Sequence, residues 1–414
     1  MSEIKDIPKG WTIASLVNDL PYIKTGVPEY KGKKKYFSTG SIKSDSLIEE
    51  GEYSFSEKPS RANRLAIKGD VLQARMKATD KAILIDSKLD GQLFSTGFFQ
   101  IRPIDGKLNS SYILHYLTSL KFTQIKDELC SGSTQSALND EGAKKIFIPI
   151  PPFKEQELIV SKIQELLSEL ENGKQQLLTA QQQLKVYRQS LLKWAFEGKL
   201  TNKKVKDGEL PKGWKWVKSG ELFSFVTSGS RGWAKYYSDK GAIFIRITNM
   251  NFDTLELDLR DEKIQYVNPP SNSEGIRTKV QEGDFLFSIT GYLGMFAIAP
   301  KLENAFVNQH VCLCRPKEGF NKKYVGYWIS SRSGGIHHFN KNQKGAVKAG
   351  LNLDDLKTFP VPLCSPEEQQ LIVDELESKL TVCDKIEETI NQSLQQAETL
   401  RQSIFKQAFE GKLV

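Results

Sequence analysis

Apolar residues recur at steps of four and three through two long stretches of the chain. In the first they are Ile159, Ile163, Leu166, Leu170, Gly173, Leu177, Ala180, Leu184, Tyr187, Leu191 and Trp194, a coiled-coil seam with small residues at two interior positions. The second runs Ile372, Leu376, Lys379, Cys383, Ile386, Ile390, Ser393, Ala397, Leu400 and Ile404, with Leu380 and Leu394 beside its polar members. Ser365, Pro366 and Glu368 precede it in the order of a capping box, with proline where its missing donor is harmless. Both stretches predict helices of more than about thirty residues, each on the order of 55 Å at about 1.5 Å per residue. Elsewhere, short β-rich runs such as Ala82–Ile85, Phe98–Ile101 and Ala242–Ile247 mix with helical runs such as Ser111–Leu120 and Lys322–Ser330. The predicted class is α+β: a globular domain over 1–153, a spacer helix over 154–200, a second globular domain over 201–365 and a second spacer helix over 366–414.

An internal repeat sets the plan. Tyr187–Leu200 and Leu400–Leu413 agree at ten of fourteen positions, at an offset of 213, and both end in F-E-G-K-L. I-P-K-G-W ending at Trp11 matches L-P-K-G-W ending at Trp214, K-G-D-V-L from Lys68 matches E-G-D-F-L from Glu282, and R-P at Arg102 matches R-P at Arg315. The chain is two copies of one unit. Two equal heptad helices in one chain can pack on each other as an intramolecular antiparallel coiled coil, a pseudo-twofold repeat carrying one globular head at each end. The run from Phe359 to Gln369 that leads into the second helix reads as two residues longer than its counterpart in the first copy.

Of the 414 residues, 39% are hydrophobic and 26% charged, an ordinary globular composition that excludes a disulfide miniprotein and a disordered tail. The longest charge-free run, Phe285–Pro300, is too short for a membrane span, and the opening residues lack the apolar core of a secretory signal. Five scattered cysteines fit a reducing compartment, so a cytoplasmic protein is expected. Cys312 and Cys314 face one way on a strand near His310, a conceivable metal pair without a second set; core cysteines are the simpler reading.

Net charge is +8, and the two helices carry +1 and −5, which leaves +12 on the heads. Such an excess, interleaved with aromatics, is the footprint expected for a polyanion such as DNA or RNA. In the first head the candidate contacts are Lys33, Lys34 and Lys35, Arg61 and Arg64, Arg75 and Lys77, and Ser133 and Gln135. In the second they are Arg231, Trp233, Lys235 and Tyr236, Arg246 and Asn249, and Lys341, Gln343 and Lys344. Arginine, asparagine and glutamine can make two hydrogen bonds to one base edge, whereas lysine, serine and glycine-loop amides suit phosphates.

The motifs of catalysis are missing. There is no Walker loop. Asn268-Pro269-Pro270-Ser271 lacks the aromatic ring with which an amino-methyltransferase would grip a flipped base, and Glu377-Ser378-Lys379 lies on a heptad helix. His115, His310, His337 and His338 have no nucleophile and carboxylate at a useful spacing.

The order of these motifs resembles that of a specificity subunit of type I restriction-modification systems. The resemblance rests on Leu210–Trp214, on Gly69–Leu72 and Gly283–Leu286, on Ile148–Gln156, and on the closing Phe196–Leu200 and Phe409–Leu413, and it spans essentially the whole chain. It implies two target recognition domains, each reading half of an asymmetric bipartite DNA site, with the helices fixing the unread spacer. It implies two methyltransferase subunits that bring S-adenosylmethionine, and restriction subunits that bring ATP and magnesium chemistry; this chain would hold no cofactor and do no catalysis. The alternative is a tandem-domain scaffold for protein partners without sequence-specific DNA binding.

Overall fold

The computed structural model describes residues 7–43, 46–132, 136–201, 205–206, 209–270, 277–342 and 350–414. They form two compact units, Met1–Leu178 with Asn391–Val414, and Thr179–Ile390. Among the described residues no helix is long and apolar enough to cross a membrane.

The first unit contains β1 (Thr12–Ser15), β2 (Lys34–Phe37), β3 (Gly51–Tyr53), β4 (Ala62–Leu65), β5 (Val71–Ala74), β6 (Ala82–Leu84), β7 (Leu93–Ser95), β8 (Phe98–Ile101) and β9 (Phe147–Ile150). Its helices are α1 (Ser110–Leu117), α2 (Leu120–Glu128), α3 (Asp140–Ala143) and the first part of α4 (Phe153–Phe196). The strands pair as β1-β9, β3-β2-β7-β4 and β6-β5-β8.

The second unit contains β10 (Lys215–Lys218), β11 (Phe223–Ser228), β12 (Tyr237–Ser238), β13 (Ala242–Ile245), β14 (Tyr266–Val267), β15 (Phe285–Ser288), β16 (Phe296–Ile298), β17 (Ala305–Val307), β18 (Val311–Pro316) and β19 (Pro360–Leu363). With them are α5 (Lys322–Ser330), α6 (Gly335–Asn342) and the opening of α7 (Pro366–Phe409). Here the orders are β10-β19, β11-β18-β15-β16 and β12-β14-β13-β17. Among the described residues each unit has one parallel strand pair, β2 with β7 and β13 with β17, among antiparallel neighbours. The α+β class predicted from the sequence is the one observed.

The long helices pair within each unit. In the first, Ile159 and Ile163 near the start of α4 share a core with Ile404, Phe405, Ala408 and Phe409 at the end of α7. In the second, Leu184, Leu191, Ala195 and Phe196 near the end of α4 share a core with Ile372, Val373, Leu376 and Cys383 near the start of α7. The start of one helix lies against the end of the other, which is the antiparallel pairing expected. Arg188 adds a bridge, donating to Asp384 Oδ1 at 2.6 Å and to Glu387 Oε2 at 3.0 Å.

The heptad reading holds at every second seam position, with Leu184, Leu191, Ile390, Ala397 and Ile404 buried, and fails at alternate positions late in α4 and from the middle of α7. Tyr187, Trp194, Ile386 and Leu400, all placed on the seam, are 40 to 52% exposed, while Leu192, Ala195 and Phe196 are buried. A straight α-helix drifts by about 20° per heptad, so one row of a strict seam leaves the buried face while the other stays on it. The final turns then pack on the head: Phe196 meets Tyr324 and Trp328 edge-on, and Phe409 meets Tyr112 and Tyr116.

Polar contacts explain the repeated motifs. The aspartate of each G-D motif is buried and takes a bidentate ion pair from the arginine of the R-P motif: Arg102 reaches Asp70 at 2.8 and 2.9 Å, and Arg315 reaches Asp284 at 2.9 and 2.9 Å. Gln156 accepts from the Asn109 amide and donates to Pro151 O, while Gln369 accepts from the Asn321 amide and donates to Cys364 O. Tyr112 donates to Pro149 O and Tyr324 to Pro362 O, each at 2.8 Å. These contacts correct the expected two-residue insertion. Pro149 corresponds to Pro362, so both copies place the glutamine seven residues beyond it and the register is unbroken.

The F-E-G-K-L ends close each unit on its P-K-G-W start. Gly198 and Gly411 have φ of +72° and +67°, and a Cβ on either would collide with the ring of Pro211 or Pro8 respectively. Both the backbone and the space therefore require glycine. Cys312 and Cys314 are buried with sulfurs 3.7 Å apart. No group of three metal-binding side chains occurs among the described residues.

Candidate functional site

In each unit several loops with exposed polar side chains meet at one end of the sheets. In the first unit β2, β4, β5, β7 and β8 meet there. The Thr96 amide donates to Arg61 O, the Arg75 amide to Gly97 O, and Thr39 Oγ1 lies 3.8 Å from Met76 Sδ. Met76 bridges to Ala137, and the Lys77 amide donates to Ser136 O, so the β5–β6 turn pairs with the segment leading to α3.

That turn is held from beneath by α2. Lys126 is fully buried and donates to Met76 O and Thr79 O, while the Asp127 carboxylate accepts from the Ala78 amide. Ala78 is the one non-glycine residue with positive φ among those described, at 57°. Burial pushes the Lys126 ammonium below its ordinary pKa, and nearby Asp127 opposes that shift.

In the second unit β11, β13, β15, β17 and β18 meet at the corresponding end. The Ile289 amide donates to His310 O, Thr290 Oγ1 lies 2.6 Å from His310 Nδ1, and Gln309 Nε2 lies 3.0 Å from His310 Nε2. Thr290 bridges to Gly350. Arg277 donates to Thr227 and Ser230, bringing a cation to the loop that contains Arg231. Gly229 in that loop has no room for a Cβ against the Val307 and Asn308 backbone.

The predicted contact residues separate into groups. Arg61 and Lys77 are exposed at the loop end of the first unit; Arg231 is exposed at that of the second, and Lys341 is exposed at the end of α6. Lys235 is also exposed, over the half-buried Tyr236 ring at 4.9 Å. Lys33, Lys34 and Lys35 lie at the opposite end of β2, where Lys34 donates to Gly91 O and Lys35 pairs with Glu49.

Five candidates point inward, which corrects their expected role as outward contacts. Arg64 is 1% exposed and donates to Ile23 O, and burial lowers its pKa. The half-buried Arg75 spends its guanidinium on Phe98 O, Leu138 O, Tyr22 and Asp140. Trp233 stacks on Phe244 at 5.0 Å in a small core. Asn249 is buried, accepts from the Arg246 amide and donates to Asp258 O and Lys263 O. Arg246 also donates to Lys263 O. Each satisfies backbone carbonyls or fills a core, which a sequence pattern cannot tell from surface readout. Ser133, Gln135, Gln343 and Lys344 lie outside the described residues. Sequence reasoning missed Thr39, Arg277, Tyr292, Gln309 and His310, whose place at the loop ends follows only from strand pairing.

The profile of the family described as the type I restriction modification DNA specificity domain matches residues 14–180 and 211–396. The chain belongs to this family. Its two matched segments correspond to the two heads with the parts of the helices that adjoin them. The EcoBI specificity subunit of Escherichia coli is 27% identical over 328 residues, 76% of this chain and 68% of the relative. The EcoKI specificity subunit of Escherichia coli K12 is 26% identical over 310 residues, 73% of this chain and 66% of the relative. The fold is similar to that of a chain from a solved type I restriction-modification assembly, with TM-score 0.80, 22% identity and 98% and 99% coverage of the two chains. It is also similar to the HsdS subunit from Thermoanaerobacter tengcongensis, with TM-score 0.65, 21% identity and 99% coverage of each. A family named for DNA specificity agrees with loop ends that carry cations and amides.

Proposed function

We propose that this chain is the DNA sequence-recognition subunit of a type I restriction-modification complex, each unit reading one half of a bipartite asymmetric site. The observation that carries this reading is the duplicated framework. The Asp–Arg pairs, the glutamine brackets and the tyrosine-to-proline bonds are the same in both units, while the exposed residues on the loop ends differ. A conserved scaffold with unlike tips suits one task performed on two different sequences. Cations such as Lys341 neutralise phosphates, and side chains on the turns read base edges.

The long helices set the unread spacer and dock two methyltransferase subunits, for which they offer exposed apolar side chains such as Leu158 in the first unit and Val186, Leu371 and Val382 in the second. S-adenosylmethionine binds in those partners, and ATP and magnesium chemistry belongs to restriction subunits; this chain supplies the address. The test is duplex binding by this chain co-purified with its methyltransferase subunit, measured between 50 and 200 mM salt. Steep salt dependence with preference for particular duplexes supports the reading. Salt-independent binding, or none by an intact complex, favours the protein-scaffold alternative.

A further inference from the structure

The hairpin turn between β15 and β16 holds an aromatic ring out into solvent. Tyr292 is 70% exposed, more than any other large apolar side chain described, although its neighbour Leu293 is buried. The ring is not on a floppy loop. Ser288 Oγ donates to Tyr292 O and accepts from the Met295 amide at 3.0 Å, and the Ser288 amide donates to Met295 O at 2.9 Å. Gly291 and Gly294 take φ of +75° and +88°, and the backbone at Gly294 packs on Ile336 and Phe339 of α6. The fold therefore fixes the backbone that presents a ring contributing almost nothing to its own core.

The same turn stands in the same place in the first unit. Counted from the G-D motifs at Gly69 and Gly283, Met76 matches Thr290, Lys77 matches Gly291 and Ala78 matches Tyr292. The bridges agree as well, Met76 to Ala137 and Thr290 to Gly350. The supports differ: the buried Lys126 and Asp127 hold the first turn, Ser288 and α6 the second. The side chains presented differ too, an ammonium in one unit and a phenol in the other.

We infer that these two turns are equivalent base-reading elements, with Tyr292 contacting bases of the half-site read by the second unit and Lys77 those of the other half-site. The inference rests on the proposed function and specifies a pair of residues within it. A tyrosine ring suits an apolar base edge such as a thymine methyl, or a wedge against a base step, and its hydroxyl can donate to a base acceptor. A lysine suits guanine O6 and N7. Polar side chains lie at the same end: His310 is within hydrogen-bond distance of Thr290, two residues before Tyr292, and of Gln309, and Arg277 donates to Ser230.

The test co-expresses the full chain with its methyltransferase subunit and maps methylated motifs by single-molecule sequencing, for wild type, Tyr292→Ala, Tyr292→Phe, Lys77→Ala and a control, Phe252→Ala. Phe252 is 41% exposed and precedes Leu255, whose carbonyl pairs with Ile298 at the far end of β16. Tyr292→Ala is expected to lower methylation about tenfold or to make one or more bases of one half-site degenerate, with the other half unchanged. Tyr292→Phe keeps the apolar contact and lies between it and wild type. Lys77→Ala is expected to relax the opposite half, and Phe252→Ala neither. Unchanged motifs and levels in Tyr292→Ala and Lys77→Ala overturn the inference while leaving the proposed function standing, as does degeneracy of the same half in both. Complete loss of methylation by Tyr292→Ala together with Tyr292→Phe, with no complex recovered, assigns the ring a folding role and also overturns it. No motif with wild type rejects the proposed function itself.

Discussion

Replacing Arg315 with methionine tests the view that the Asp–Arg pairs, rather than the bulk of the core, keep the heads alike. Asp284 is 1% exposed and accepts two bonds from Arg315, at 2.9 Å each, and one from the Gln281 amide at 2.8 Å. Losing the arginine leaves a buried carboxylate with a single donor. Removing one member of a buried pair costs about 3–5 kcal/mol. Asp70 in the first unit is better supplied: without Arg102 it would keep the Ile67 amide at 2.9 Å and Gln100 Nε2 at 2.6 Å. One further bond to a charged group is worth about 1.5–3 kcal/mol, so Arg102→Met should cost at least about 1.5 kcal/mol less than Arg315→Met. Five of the six tryptophans lie in the second unit, so thermal unfolding followed by tryptophan fluorescence reports on it, with a drop of roughly 10 °C expected for Arg315→Met. Amide hydrogen exchange at β5 and β8, and at β15 and β18, compares the two units directly. Equal losses for the two variants, or a loss under about 1 kcal/mol for Arg315→Met, would refute the reasoning.

Three other outcomes are expected. Gly411→Ala should destabilise the first unit and Gly198→Ala the second, each by about 1–3 kcal/mol of backbone strain plus the displacement of a proline ring, seen as lowered midpoints in urea; unchanged midpoints would contradict the closure described. Burial and nearby Arg401 push His115 down from 6.5 to about 4, so below pH 6.5 the unfolded chain takes up a proton that the folded one refuses. The first unit should therefore lose stability as pH falls from about 6.5 to about 4, by no more than about 3 kcal/mol, and His115→Gln should flatten that dependence in unfolding measured across pH. Arg231→Ala should weaken recognition of one half-site only, and equal binding by variant and wild type across all sequences would remove Arg231 from the readout.

The helices, the duplication and the family were legible in the sequence because each leaves a periodic or repeated trace. The helix ends were not: a seven-residue rule carried Tyr187 and Leu400 onto a face that the helix turns away from its partner. The likeness of the heads was nearly invisible, since Val71-Leu72-Gln73 and Phe285-Leu286-Phe287 fill the same strand with different volumes. It survives in the sequence at short motifs, most clearly where a polar bond fixes identity, at Asp70 and Asp284, Arg102 and Arg315, and Gln156 and Gln369. Site residues were read by type, and type does not give direction. Arg64, Arg75, Arg246 and Asn249 have the chemistry of base readout and spend it on backbone carbonyls. Tyr292 sits in a charge-free run, Phe285–Pro300, that offers no sign of a contact residue until the strand pairing puts its turn at the loop end.

The central claim is that this chain directs methylation to a bipartite DNA sequence. Single-molecule sequencing of adenine methylation in DNA from cells expressing the chain, with and without its methyltransferase subunit, tests it most directly. The account predicts one asymmetric motif, two specified halves around a gap of fixed length, that appears only when both proteins are present. A soluble, assembled complex that leaves no new modified motif would contradict it.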